Sequence, residues 1–228
     1  MYALYIGNKN YSSWSLRPWA LLRELGIAFE ERLTPFDAGS SWTSFRKFSP
    51  TGRVPCLVDG GTTVWDSLAI AEYLAERHES VWPSDKAART WARCVAAEMH
   101  SGFGALRNTC TMNCGIRVRL DRMSPDLERE VARLGELWNE GLTRFGGPFL
   151  AGPAFTAADA FFAPVAFRVQ TYALALDATS LAYGNRLLAL PSLQRWYAGA
   201  LAETWREPGH EEEVKAAGTV LADLRAVS

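Results

Sequence analysis

Four hydroxyl side chains crowd one short stretch near the N-terminus, Tyr11, Ser12, Ser13 and Ser15 in "NKNYSSWSLRPW". Any of them can cap a helix. At a helix N-terminus, where unpaired N–H groups and the helix dipole favour negative charge, one of them can also donate a hydrogen bond to an anion. A second polar pair, Asp66-Ser67, stands directly before the helical pattern "LAIAEYLAERH" and so also marks a helix start. Cys110 and Cys114 lie four apart, which is half of a metal site if both share a helix face. Only three histidines and no second cysteine pair exist to complete it. These cysteines read as small buried hydrophobes, and no metal is expected.

The elements that must position these groups follow from periodicity. Residues 2–6, "YALYI", read as a buried strand. Leu16, Trp19, Ala20 and Arg23 repeat at helical spacing, with Pro18 expected in the first turn and Gly26 as the stop. "AFEERL", residues 28–33, predicts a second strand. "CLVD" and "TTVW" flank Gly60-Gly61, a hairpin signal because glycine accepts the positive φ of tight turns. Leu68, Ala71, Leu74 and Ala75 then share one face of the next helix. Beyond residue 85 the patterns are helical, over 86–107, 125–145, 156–173 and 191–205, with no convincing strand. The expected organisation is a small α/β domain over residues 1–80 and an all-α domain over 86–228.

A chain of 228 residues with 48% apolar composition can bury a substantial core. Lys plus Arg number 24 against 25 Asp plus Glu, so there is no broad positive field for phosphates and nucleic acid is not an expected partner. No apolar run approaches the roughly 20 residues that span a bilayer, and "MYALYIGNKN" lacks the pattern of a secretory leader. Four scattered cysteines suit a reducing compartment, so a cytoplasmic location is expected and no membrane partner.

Three motifs stand in order along the chain. Val54-Pro55 precedes the hairpin, "DSLAIAEYL" opens the following helix, and "TAADAFFAPV" places Thr156 and Asp159 at capping-box spacing. In these the chain resembles the cytosolic glutathione transferase family. The resemblance implies a thioredoxin-like N-terminal domain joined to an all-α C-terminal domain, glutathione as cosubstrate, and a homodimer. It implies a cis peptide at Val54-Pro55, a Val54 backbone paired with the cysteinyl part of glutathione, and a γ-glutamyl end held by Asp66 and Ser67. Arg53 is placed to meet the glycine carboxylate, with Lys47 as its rival.

"YSSWSLRPWALLRELGI" resembles the serine-type motif of zeta-class members of that family. Aligned on Arg17 and Gly26-Ile27, the motif puts the thiolate-stabilising serine at Ser12, with Ser13 next and Tyr11 third. The motif's cysteine is replaced here by Trp14, and no cysteine stands in this loop to suggest the cysteine-type branches. The electrophile is expected in an apolar cleft between the domains, with Trp14, Met99, His100, Phe103 and Arg107 as candidate lining. Met99 and Phe103 suit core packing better than the pocket, whereas His100 and Arg107 share a predicted helix face from which an anion could be oriented, surface pairing being the equal alternative. Arg17 reads as a structural helix residue paired with an acid or a carbonyl. The implied activity is transfer of glutathione to a small electrophile, a detoxification chemistry. The alternatives are glutathione-dependent cis–trans isomerisation of an unsaturated diacid, as in maleylacetoacetate isomerase, and non-catalytic ligand or partner binding.

Overall fold

The run "YALYI" becomes strand β1 (Tyr2–Ile6), with Leu4 and Ile6 fully buried, in a computed structural model that describes residues 1–226. Strand β2 (Phe29–Leu33) lies parallel to it, Tyr2 opposite Phe29. On the other side β3 (Cys56–Asp59) runs antiparallel, Leu4 opposite Leu57, and β4 (Thr62–Trp65) closes the sheet in the order β2-β1-β3-β4. Gly60, at φ +59°, makes the hairpin turn that the glycine pair predicts.

Helix α1 (Ser13–Glu24) joins β1 to β2, and α3 (Ser67–Ala75) follows β4 and packs on α1. Between β2 and β3 lies only one short turn, α2 (Trp42–Phe45). Helix α1 starts at Ser13, earlier than its apolar spacing suggests, because the Ser12 carbonyl already accepts from Leu16 N at 3.2 Å. Pro18 therefore falls in the second turn instead of the first, where its missing N–H leaves the Trp14 carbonyl without its helical donor. The helix does stop before Gly26, which takes φ +66° while Ile27 N closes onto Leu22 O at 2.9 Å.

The rest of the chain is largely helical. It comprises α4 (Lys86–Ser101), α5 (Gly104–Thr109), α6 (Pro125–Phe145), α7 (Ala157–Tyr172), α8 (Ala178–Leu188), α9 (Pro191–Ala202) and α10 (Pro208–Ala217). The helix predicted over 86–107 is broken at Gly102-Phe103, where Phe103 turns to φ +55° and buries its ring. The all-α expectation also needs correction. Strands β5 (Ile116–Leu120) and β6 (Gly218–Asp223) form an antiparallel ribbon, Ile116 opposite Asp223, that ties the C-terminal segment back to the chain after α5. "IRVRL" alternates apolar and charged residues, which is the period of a strand with one buried face.

Helix α7 is the hub, packed on α1, α4 and α8, and it is apolar on nearly all sides because it is buried on nearly all sides. Its N-terminus is fixed by the fully buried Asp159 carboxylate, which accepts from Leu150 N (3.0 Å), Thr156 N (2.9 Å) and the Tyr183 hydroxyl (2.8 Å). Burial pushes the Asp159 carboxyl above the usual range, and these bonds offset part of that push. The architecture is a thioredoxin-like sheet with its helices, followed by a helical domain.

Candidate functional site

The loop between β1 and α1 is held from outside itself. Lys9 N and Asn10 N donate to the Glu203 carboxylate at the end of α9, at 2.6 and 3.2 Å, and Asn10 Nδ2 donates to Ala200 O at 2.5 Å. Phe36 N donates to Asn8 Oδ1 at 2.8 Å, and the Asn8 carbonyl accepts Ser12 N at 2.9 Å. This bracing puts Tyr11, Ser12 and Ser13 on the wall of a cavity of about 800 Å³ at the mouth of α1. Opposite walls are supplied by Arg53 and Val54 before β3, by Trp42 of α2, and by Arg107, Thr111 and Arg168 from the helical domain.

The three hydroxyls differ sharply in what they can do. Tyr11 donates to Glu211 Oε1 at 2.7 Å, and Arg225 lies 3.3 Å from the same phenol oxygen. Burial first, then Glu211, pushes the Tyr11 phenol well above its ordinary range, so its proton is committed to that carboxylate. Ser12 is the N-cap residue of α1 and is 5% exposed; its hydroxyl donates to Ser15 Oγ at 2.7 Å. Ser15 Oγ also accepts Gly7 N at 3.2 Å, so a chain of bonds runs from the β1 end to Ser12. Ser13 opens α1 and has no side-chain partner among the described residues.

Val54-Pro55 is a cis peptide, with Pro55 buried and Val54 on the cavity wall. Arg53 is exposed and lines the cavity, whereas Lys47 is exposed and lines neither this cavity nor the neighbouring hollow beside α3. Asp66 caps α3 by accepting Leu68 N at 2.8 Å, in a backbone held at φ +76°. Ser67 is fully buried, and its hydroxyl accepts from Arg17 Nη1 at 3.3 Å.

Arg17 has no acid for a partner among the described residues. It reaches Ser67 and, at 3.4 Å, the Met99 carbonyl, and its guanidinium lies 4.2 Å from the Trp14 ring centre and 4.9 Å from that of Phe161. Burial, with Arg168 and Arg107 adding repulsion and Asp66 opposing, pulls its pKa down to about 9.

Of the other expected lining residues, Trp14 and Arg107 face the cavity. Met99 and Phe103 do not; they belong to the core, where the break after α4 turns Phe103 inward. His100 also lies elsewhere. It lines a separate hollow with Trp65 and Leu68, its Nε2 3.6 Å from the Asp66 carboxylate. Burial, then Arg17 and Arg107 against Asp66, holds the His100 imidazole below its ordinary pKa, which leaves it without the charge to orient an anion near neutral pH. Arg168 was not anticipated. Its signal is a lone cation inside the otherwise apolar run "AFFAPVAFRV", a residue type that is rarely buried without a reason. The two cysteines Cys110 and Cys114 are both buried, and burial pushes the Cys110 thiol up to about 12.

No helix among the described residues is long and apolar enough to cross a membrane. Residues 11–77 match the family model for the glutathione S-transferase N-terminal domain, and residues 90–199 match that for the C-terminal domain. A zeta-class glutathione S-transferase of Euphorbia esula is 29% identical over 157 residues, covering 67% of this chain and 70% of the relative. The maleylacetoacetate isomerase of Rattus norvegicus is 26% identical over 200 residues, 84% of this chain and 89% of that one. Among solved structures, a Burkholderia glutathione transferase homolog with bound glutathione superposes with a TM-score of 0.65 at 25% identity, covering 87% of this chain and 97% of its own. Two domain matches in the order that the sheet and the helical half require establish that this chain belongs to the glutathione S-transferase family, as an enzyme of that family.

Proposed function

We propose that the chain binds glutathione along the cavity at the mouth of α1 and keeps its sulfur ionised with the Ser12 hydroxyl, for attack on a small electrophile. The observation that carries the reading is the position of Ser12: N-cap of α1, on the wall of a cavity whose other side holds Val54 of the cis Val54-Pro55 pair. A glutathione-bound relative of 25% identity supports the tripeptide as ligand. A thiol of pKa ~8.5 lowered to ~6.5 requires about 2.7 kcal/mol of preferential stabilisation of the anion. One charge-assisted hydrogen bond together with the N-terminal end of a helix is of that size, at roughly 1.5–3 and 0.3–1 kcal/mol.

Bound thiolate is a better acceptor than a neutral hydroxyl, so the Ser12 proton turns from Ser15 to the sulfur. Ser15, already accepting from Gly7, can then give its own proton to Ser12 Oγ and keep the chain of bonds unbroken. In this reading Asp66, which lines the neighbouring hollow beside α3, meets the γ-glutamyl ammonium, and the Ser67 hydroxyl receives the γ-glutamyl carboxylate, backed by the Arg17 guanidinium, which has no acid partner among the described residues. Val54 pairs with the cysteinyl backbone and Arg53 with the glycine carboxylate. The sulfur's electron pair forms the new bond to carbon, the leaving group departs with its own pair, and the thiol proton passes to solvent on ionisation.

The Rattus relative favours a second reading, in which reversible addition of the thiolate to a conjugated double bond lets an unsaturated diacid rotate from cis to trans. Turnover of a maleyl keto acid with no net consumption of glutathione separates it from transfer. Ser12→Ala and Ser13→Ala assayed with chlorodinitrobenzene test the shared first step. Ser12→Ala is expected to lower kcat/KM by about 10- to 100-fold, the hydrogen bond's share of the ~2.7 kcal/mol above, and to move the kinetic pKa up toward ~8.5 without reaching it while the helix end remains. Unaltered turnover and pH profile in Ser12→Ala would transfer the role to Ser13 or abolish the mechanism.

A further inference from the structure

The α5–α7 side of the cavity carries positive charge with nothing to neutralise it. Arg168 is 5% exposed, and its Nε is spent on the Cys110 carbonyl at 2.7 Å. Its Nη groups have no protein acceptor among the described residues, and the side chain lines the cavity. Burying a guanidinium without a counter-charge is costly, and such charges are ordinarily paired. Arg107 lines the same wall, spends one Nη on the His100 carbonyl at 3.2 Å, and stands 5.6 Å from the Trp14 ring centre. Neither arginine is within ion-pair distance of a carboxylate among the described residues, and the exposed Glu213 on the cavity rim pairs with neither.

Repulsion between the two makes the arrangement worse, not better, in the empty cavity. Burial, with Arg107 opposing the charge, brings the Arg168 pKa down to about 10. An anion reaching Arg168 removes that penalty and gains charge-assisted hydrogen bonds in a site shielded from bulk water. In the arrangement proposed above, glutathione's own carboxylates go to other groups, one to Ser67 and Arg17 at the start of α3, outside this cavity, and one to Arg53 beside Val54.

We propose that Arg168, assisted by Arg107, holds a carboxylate of the electrophile, so that the second substrate is an anionic carboxylic acid whose reactive carbon is presented to the sulfur across the Trp14 ring. This rests on the reading that the glutathione thiolate occupies the mouth of α1. It departs from a largely apolar electrophile: the recognition element is a buried cation.

Binding of finished conjugates tests the recognition apart from the chemistry. The probes are glutathione S-conjugates of a nitrobenzoate and of the matching nitrobenzamide, products of the chlorinated aryl acid and amide by displacement of chloride. Titration calorimetry on the full chain is expected to show the carboxylated conjugate binding about tenfold or more tighter than the amide, the equivalent of one charge-assisted pair. Arg168→Gln and Arg107→Gln should each lower that ratio, and Arg168→Lys should keep part of it. Circular dichroism identifies a variant that fails to fold, and Arg107→Gln then decides alone. A ratio near one in the unmodified chain, or a ratio indifferent to both variants, overturns the proposal. So does a loss confined to free glutathione affinity, which would assign these arginines to the tripeptide. In Ser12→Ala the ratio should persist while turnover is lost; full turnover in that variant would remove the thiolate reading and leave the carboxylate recognition standing.

Discussion

At the scale of single residues, the opening cluster of hydroxyls sorts by what each proton is already doing. Tyr11 donates its hydrogen bond to Glu211, Ser13 has no side-chain partner among the described residues, and Ser12 is joined to Ser15. Ser15 touches no ligand in the proposed arrangement and acts through Ser12, as a positioning residue. Removing it breaks the bond chain from Gly7 without removing the Ser12 donor. Ser15→Ala is therefore expected to raise the kinetic pKa of the thiol only part of the way and to lower kcat/KM by about threefold to tenfold. Ser15→Thr, which keeps the hydroxyl, should recover most of it. A pH profile of kcat/KM for both variants checks this, because a merely structural loss would change the rate without moving the pKa.

At the scale of elements, the helical domain depends on how closely its helices approach. Gly141 in the middle of α6 faces Trp91 of α4, and a Cβ there would lie 2.6 Å from the backbone oxygen of Leu150 and run into the Trp91 ring. A backbone atom cannot swing aside as a flexible side chain can. Gly141→Ala gains up to about 1 kcal/mol of helix propensity, whereas overpacking costs typically 1–3 kcal/mol, more at a backbone contact. The variant should be destabilised by about 1–2 kcal/mol net, measured by urea unfolding. An increase in stability would show that α4 and α6 are not pressed together there.

At the scale of the whole molecule, the C-terminal segment is latched onto the start of the chain. Glu211 of α10 accepts a hydrogen bond from the Tyr11 hydroxyl and pairs with Arg225 just beyond β6, Nη2 to Oε2 at 2.9 Å. Burial alone would push the Glu211 carboxyl up, but Arg225 and Tyr11 outweigh it and hold it below the ordinary range. A carboxylate with a depressed folded pKa contributes stability that is present above the unfolded value of ~4.3 and is lost as pH falls through the lower folded value. Amide protection factors in β5 and β6, corrected for the intrinsic pH dependence of exchange, should therefore fall as the pH drops below ~4.3, and Glu211→Gln should remove that acid dependence while loosening the ribbon at neutral pH. Protection that follows pH identically in the variant would mean the latch is held by something else.

The sequence by itself determined the sheet, its hairpin, the caps of α3 and α7 and the family motifs, because strand alternation, glycine turns and capping pairs are local and read within a few residues. Val54-Pro55, Asp66-Ser67 and Thr156 with Asp159 were legible for that reason. The weak alternation of "IRVRL" was overlooked because its partner strand is about 100 residues away, and a ribbon edge makes sense only once paired. Pairing across long separations also decides each hydroxyl's partner: Tyr11 is bonded to Glu211 and approached by Arg225, residues no spacing rule connects to it. Phe103 is drawn inward by a backbone turn, Met99 sits on the buried face of α4, and Arg168 is set into the cavity by the burial of α7. Charges and hydroxyls take their chemical roles from neighbours brought in by the tertiary fold, since burial and Coulomb interaction depend on distance in space and not along the chain.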